Sequence, residues 1–150
     1  MDIIPLSYAS SLVSLLTNGI INIAVSDTSV LLVSMVSTLN DSCRFKKTVS
    51  EIDLYNKLIV IEEFFNHLPL KYEKNKSIKK LLKSIHDIII NIYNILSEIN
   101  SIIIYHKTKY FHSYRTPKYS KEISKLITYD KILNERFDLL LKIINTIKFL

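Results

Sequence analysis

Apolar residues recur every three or four positions between Ser77 and about His106, over about four heptads. This spacing places them along one side of an α-helix, and lysine, asparagine and acidic residues occupy the other side. The sequence therefore predicts one long amphipathic helix over 77–106. Its apolar side comprises Ile78, Leu81, Leu82, Ile85, Ile88, Ile89, Ile92, Tyr93, Leu96, Ile99, Ile102 and Ile103.

The scarcity of turn-forming residues extends this prediction to the whole fold. With one glycine and three prolines in 150 residues, the chain has little of the turn chemistry that a protein of many short strands needs. A chain of this length can bury one core without a disulfide or a metal. We therefore predict a single all-α domain, 1–150, a bundle of four to five helices with 77–106 at its centre.

Further helices are predicted on either side of the long one. Thr48 and Glu51 have the spacing of a capping box, which predicts that a helix starts at Thr48, and Pro69 should end it. Its apolar side would be Val49, Ile52, Tyr55, Leu58 or Ile59, Phe65 and Leu68. Residues 70–76 and 105–119 read as loops, and 120–149 as one helix or a broken pair.

The segment from Ile3 to Ser26 contains no charged residue. It is long enough to cross a bilayer, but serine, threonine and asparagine interrupt it. Two interpretations stay open, a buried core helix broken near Gly19 and a membrane-insertable segment, 1–26. The candidate inserting residues are Leu12, Leu15, Leu16, Ile20 and Ile21. A second run, 28–40, predicts another buried helix, with a strand over 30–36 as the alternative.

Positive charge is confined to the later part of the chain. All 20 lysines and arginines lie at or after Arg44, and two clusters account for most of the excess of positive over negative charge there. The first cluster is Lys71, Lys74, Lys76, Lys79, Lys80 and Lys83. The second is Lys107, Lys109, Arg115, Lys118, Lys121 and Lys125, interleaved with Tyr105, Tyr110, Phe111, Tyr114 and Tyr119.

Such clusters attract anionic lipid headgroups or nucleic acid, and aromatic rings among cations suit both. A solvated basic loop whose rings fold back onto the bundle is the alternative. Nucleic acid is not favoured, because the sequence contains no nucleic-acid-binding motif.

Residues for catalysis or metal binding do not form a recognisable pattern. A single glycine excludes a glycine-rich phosphate loop. The four histidines have no metal-ligand spacing, and Glu62, Glu63 and His67 lack the second histidine of a zincin helix. We therefore expect no enzyme activity, no cofactor and no metal. Cys43 is the only cysteine, and no signal peptide is recognised, so we expect a cytoplasmic protein that a membrane can recruit.

Four features together resemble the HeLo-type four-helix bundle. They are the apolar N-terminal segment, a helix after Ser42-Cys43-Arg44, a long helix ending in Leu96-Ser97-Glu98-Ile99-Asn100-Ser101-Ile102, and the final Asp130-Lys131-Ile132-Leu133-Asn134-Glu135-Arg136-Phe137-Asp138-Leu139-Leu140. This family includes the executioner domain of MLKL, the fungal HET-S toxin domain and the coiled-coil domains of resistance proteins.

The resemblance implies a domain that oligomerises and permeabilises membranes in cell death or innate immunity. It also implies that Lys71 to Lys83 meet anionic lipid and that the N-terminal stretch inserts. The alternative function is a small helical interaction module, of the viral Bcl-2-like kind, that blocks a host death or signalling protein.

Overall fold

The computed structural model describes residues 19–40, 43–111 and 114–148. Within these ranges the chain is all-helical, which confirms the predicted fold class. The helices are α1 (Ile20–Ser37), α2 (Arg44–Glu51), α3 (Leu54–His67), α4 (Lys76–Lys107) and α5 (Ser120–Lys148), with a 3-10 turn at Leu70–Lys74 before α4.

Helix α4 is the centre of the bundle, as the apolar period predicted. It begins after Asn75, whose side-chain oxygen accepts hydrogen bonds from the amides of Ser77 and Ile78 at 2.9 and 3.1 Å. An asparagine cap of this kind contributes about 1 kcal/mol to helix stability. The apolar side of α4 is buried against α1 and α5, because those two helices pack on either side of it.

The capping-box prediction is wrong. Helix α2 begins at Arg44, so Thr48 lies inside it, and the Thr48 hydroxyl donates to the Arg44 carbonyl at 2.9 Å. Asp53 then takes a left-handed backbone conformation, φ 52°, which separates α2 from α3. Across this break most of the predicted apolar side is buried or half-buried, namely Val49, Ile52, Leu58, Phe65 and Leu68, but Tyr55 is exposed. The predicted end at Pro69 is confirmed.

Gly19 marks the start of α1, as its conformational freedom predicted. Its φ is +65°, a left-handed conformation that glycine adopts without steric cost, and its carbonyl accepts from the Ile23 amide at 2.8 Å. From there α1 runs without interruption past Asp27 to Ser37, so the strand alternative for 30–36 is wrong.

The candidate inserting residues are only partly within the described chain. Leu12, Leu15 and Leu16 lie outside it. Ile20 is half-buried and Ile21 is fully buried in the core, since it is on the side of α1 that faces the bundle. Of the predicted segment 1–26, the structure describes 19–26; Ile20 to Ser26 form the first part of α1, which continues past Asp27.

Helix α5 is continuous and runs back along α4 from the 108–119 loop. Asp130, buried on α5, forms an ion pair with Lys57 of α3 at 3.0 Å. The rings of Phe64 and Phe137 meet edge to face with centroids 5.1 Å apart. These contacts fix α3 against α5 and complete the bundle.

Candidate functional site

The two basic clusters lie at opposite ends of α4. A helix of 32 residues spans about 48 Å at about 1.5 Å per residue. We call the two ends the loop end and the turn end. The loop end comprises Lys107, Lys109, Tyr110, Phe111, Tyr114, Arg115, Lys118 and Lys121, and the turn end comprises Leu70, Lys71, Lys74, Lys76, Lys79, Lys80, Lys83 and Lys148.

Three aromatic rings project from the loop end. Tyr110, Phe111 and Tyr114 are 82%, 57% and 86% exposed. The rings form one cluster, since the centroids of Tyr110 and Phe111 are 4.2 Å apart and those of Phe111 and Tyr114 are 6.3 Å apart. Contiguous exposed aromatic surface is typical of a site that contacts another molecule or a membrane. The alternative of rings folded back onto the bundle is wrong for these three residues.

Exposed cations surround the aromatic cluster. Lys107, Lys109, Arg115, Lys118 and Lys121 are all exposed, and none of them forms an ion pair with another residue that the structure describes. The Lys109 ammonium lies 4.8 Å from the centroid of the Tyr105 ring, a cation–π contact that leaves its charge accessible. The loop end is thus a positively charged surface with apolar rings at its tip.

A cavity of about 740 Å³ opens at the loop end, between the last turns of α4 and residues 115–118. Lys109, Arg115 and Lys118 line it together with Tyr105 and Pro117. His106 Nε2 donates to the Arg115 carbonyl at 2.7 Å, which holds the loop against the end of α4. Because three cations share the cavity wall, an anionic group is the ligand that the cavity would stabilise.

Tyr119 has a different role from the other loop aromatics, because it is buried. Its hydroxyl oxygen accepts from the Phe45 amide at 3.3 Å and lies 3.2 Å from Cys43 Sγ. Burial, reinforced by the contact with Cys43, raises the pKa of Tyr119 to about 12. For Tyr119 the alternative of a ring folded back onto the bundle is therefore confirmed, and its contacts fasten the start of α2 to the loop end.

Arg44 joins the loop end through the same connection. Its guanidinium donates to the Ser120 hydroxyl at 2.8 Å, across 76 positions of sequence. The charge pattern did not place Arg44 in the cluster, since nothing in the sequence links residue 44 with residue 120. It is a further cation at this end of the bundle.

The Tyr119 contacts lead to a stability prediction. We expect Tyr119→Phe to lower the free energy of unfolding by about 1–2 kcal/mol at pH 8, because the Phe45 amide loses its buried acceptor. The raised pKa of Tyr119 means that its contribution is complete below about pH 10 and is lost as pH rises toward 12. Urea unfolding should thus show a smaller loss of stability above pH 10 in the variant than in the native chain. Parallel pH curves for the two proteins would contradict this role.

The structure gathers the first cluster at the turn end. Lys71 and Lys74 are exposed on the 3-10 turn, the remaining members lie in the first turns of α4, and only Lys79 is half-buried. Two residues that sequence reasoning missed belong here. Leu70 is 55% exposed beside the cations, and Lys148, at the end of α5, lines a cavity with Lys71.

No protein-family model, curated protein or solved structure matches this chain. The arrangement of its own residues is therefore what supports a function.

Among the helices that the structure describes, two are long and apolar enough to cross a bilayer, by length and composition. They are α1, with a mean hydropathy of 1.7, and a stretch of α4, with 1.5. A core helix of a globular protein meets the same criterion. No group of three or more metal-ligating side chains is found in the described ranges. Of the metal candidates, His67 donates to the Glu63 carbonyl at 2.9 Å, an ordinary contact within one helix.

Proposed function

We propose that this chain is a membrane-targeting, self-associating helical bundle that binds anionic lipid and permeabilises membranes. The observation that carries the proposal is the cluster of exposed Tyr110, Phe111 and Tyr114 among the exposed cations of the loop end. Tyrosine rings favour the headgroup region of a bilayer, and each basic residue near an anionic leaflet contributes about 1 kcal/mol. A cell-death or immune setting follows from the HeLo-type resemblance.

Helix α1 supports the permeabilising part of the proposal. Its outward side exposes Ile23, Val30 and Val33 at 58%, 67% and 48%, with Asp27 as its one charge. Apolar side chains on the outward side of a helix are stabilised when other helices or lipid cover them. At about 1.5 Å per residue, α1 is close to the thickness of the hydrocarbon core. Association of several copies and insertion of α1 would each cover this side.

Leakage of dye from vesicles tests the proposal. We expect the chain to release dye from vesicles of phosphatidylserine and phosphatidylcholine at low salt, and not from phosphatidylcholine alone. Val30→Asp should leave vesicle binding intact and reduce leakage about tenfold or more, since a second carboxylate near the middle of α1, in addition to Asp27, makes insertion more costly. Asn94→Asp, an exposed change at mid-α4, is the matched control. A chain that neither binds nor leaks anionic vesicles at low salt would contradict the proposal.

The second candidate is a helical module that binds a host death or signalling protein. The same outward side of α1 favours it, because a protein partner could cover Ile23, Val30 and Val33 as well as lipid could. This candidate predicts a stoichiometric complex that Val30→Asp disrupts, with no binding of the chain to either kind of vesicle.

A further inference from the structure

Charge along the bundle is divided into two basic ends and a middle without excess positive charge. On α4, residues 84–106 include two carboxylates, Asp87 and Glu98, and no lysine or arginine. Lysines precede this stretch at the turn end and follow it at the loop end. The two basic surfaces are therefore separated by an acidic stretch of the same helix.

This division favours one orientation on an anionic surface. The outward side of α4 between the ends exposes Asp87, Asn94 and Glu98. A bundle lying flat on that side would place both carboxylates against lipid phosphates, which repel them.

On α5, the exposed cations Lys131 and Arg136 are balanced by the exposed carboxylates of Glu135 and Asp138, so the middle of that helix adds no net attraction either. An upright bundle presents one end only. Because the Debye length is about 8 Å at physiological salt, the other end, about 48 Å away, is not attracted to the same leaflet.

We propose that the chain bridges two anionic membranes, with the loop end on one and the turn end on the other. This inference rests on the lipid binding of the proposed function and goes beyond it. Each end has its own cations and its own exposed apolar group, Leu70 at the turn end and the aromatic cluster at the loop end. Helix α4 runs unbroken between the ends and keeps them apart.

Energy transfer between donor-labelled and acceptor-labelled anionic vesicles measures this bridging. We expect the native chain to bring the two populations together at low salt, and a large excess of protein to reverse the effect, because each surface then carries its own copies. Lys71→Glu with Lys74→Glu, at the turn end, should reduce transfer at least about tenfold. Binding of this variant to single vesicles should remain, since its loop end is unchanged.

The matched control is Lys131→Glu with Arg136→Glu, two exposed cations on the middle of α5. It changes the net charge equally and should keep full energy transfer. Full transfer by the turn-end variant would overturn the inference, because bridging would then come from self-association with loop ends facing outward. A native chain that binds single vesicles without bridging also overturns it and leaves the proposed function intact. Absence of all vesicle binding refutes both.

Discussion

In a Lys71→Glu, Lys74→Glu background, which weakens lipid binding by the turn end, replacing Lys109, Arg115 and Lys118 with glutamine is expected to weaken binding to anionic vesicles about 100-fold at low salt. All three side chains line the loop-end cavity, and none is neutralised by another described residue. Each contributes about 1 kcal/mol near an anionic leaflet, and about 3 kcal/mol in total corresponds to two decades of affinity. The loss should shrink as salt is added, because screening weakens the native interaction first.

Vesicle flotation across a range of lipid concentrations measures this loss. Lys131→Gln, Arg136→Gln and Lys142→Gln together form the control, since these exposed residues on α5 carry the same charge away from the loop end. Far-ultraviolet circular dichroism should show the same helix content in both triple variants. If the loop-end variant and the control bind equally well, the loop end is not the lipid-binding surface.

Removing the lysine of the Lys57–Asp130 ion pair should have the largest effect on stability. Lys57 Nζ donates to both carboxylate oxygens of Asp130, at 3.0 and 3.1 Å, and Asp130 is buried. Lys57→Met leaves that carboxylate without its cation. Because the Lys57 side chain is 28% exposed, we expect a loss of about 2–3 kcal/mol, below the range for a fully buried pair.

A double substitution separates the loss of the pair from the loss of packing. Lys57→Met with Asp130→Leu replaces both charges by apolar side chains of similar size, which is close to neutral for buried pairs. Urea unfolding should therefore show the double variant to be more stable than Lys57→Met alone. A double variant no more stable than the single one would mean that the charges themselves do not explain the effect.

The sequence predicted best the helix in which apolar residues recur every three or four positions from one end to the other. Helix α4 was predictable because its apolar side, except Tyr93, is buried or half-buried along the helix. The end of α3 was predictable because Pro69 disfavours helical geometry in the residue before it. The α2–α3 boundary was not, because it depends on the backbone of Asp53 and on a Thr48 hydroxyl that bonds inside its own helix. At each of these two residues the residue type allows more than one local conformation, so the sequence alone does not determine which one forms.

For the candidate site, too, the sequence predicted local groupings better than contacts between distant parts of the chain. Cations that are close in sequence, such as Lys107 and Lys109, were assigned together correctly. Arg44 and Lys148 were missed because they reach the two ends from distant parts of the chain. The sequence left the position of Tyr119 open, since its residue type does not distinguish it from Tyr114. Only the tertiary contact with Cys43 and Phe45 shows that it is buried.

The most direct test of membrane docking measures how deeply the loop end enters a bilayer. In a Cys43→Ser background, which removes the only native thiol, Tyr114→Cys and Asn94→Cys each carry a bimane label on an exposed position. With anionic vesicles, the label at 114 should shift to the blue and be quenched by nitroxide lipids, while the label at 94 stays in water. Unquenched fluorescence at 114, or equal quenching at both positions, would contradict docking by the loop end.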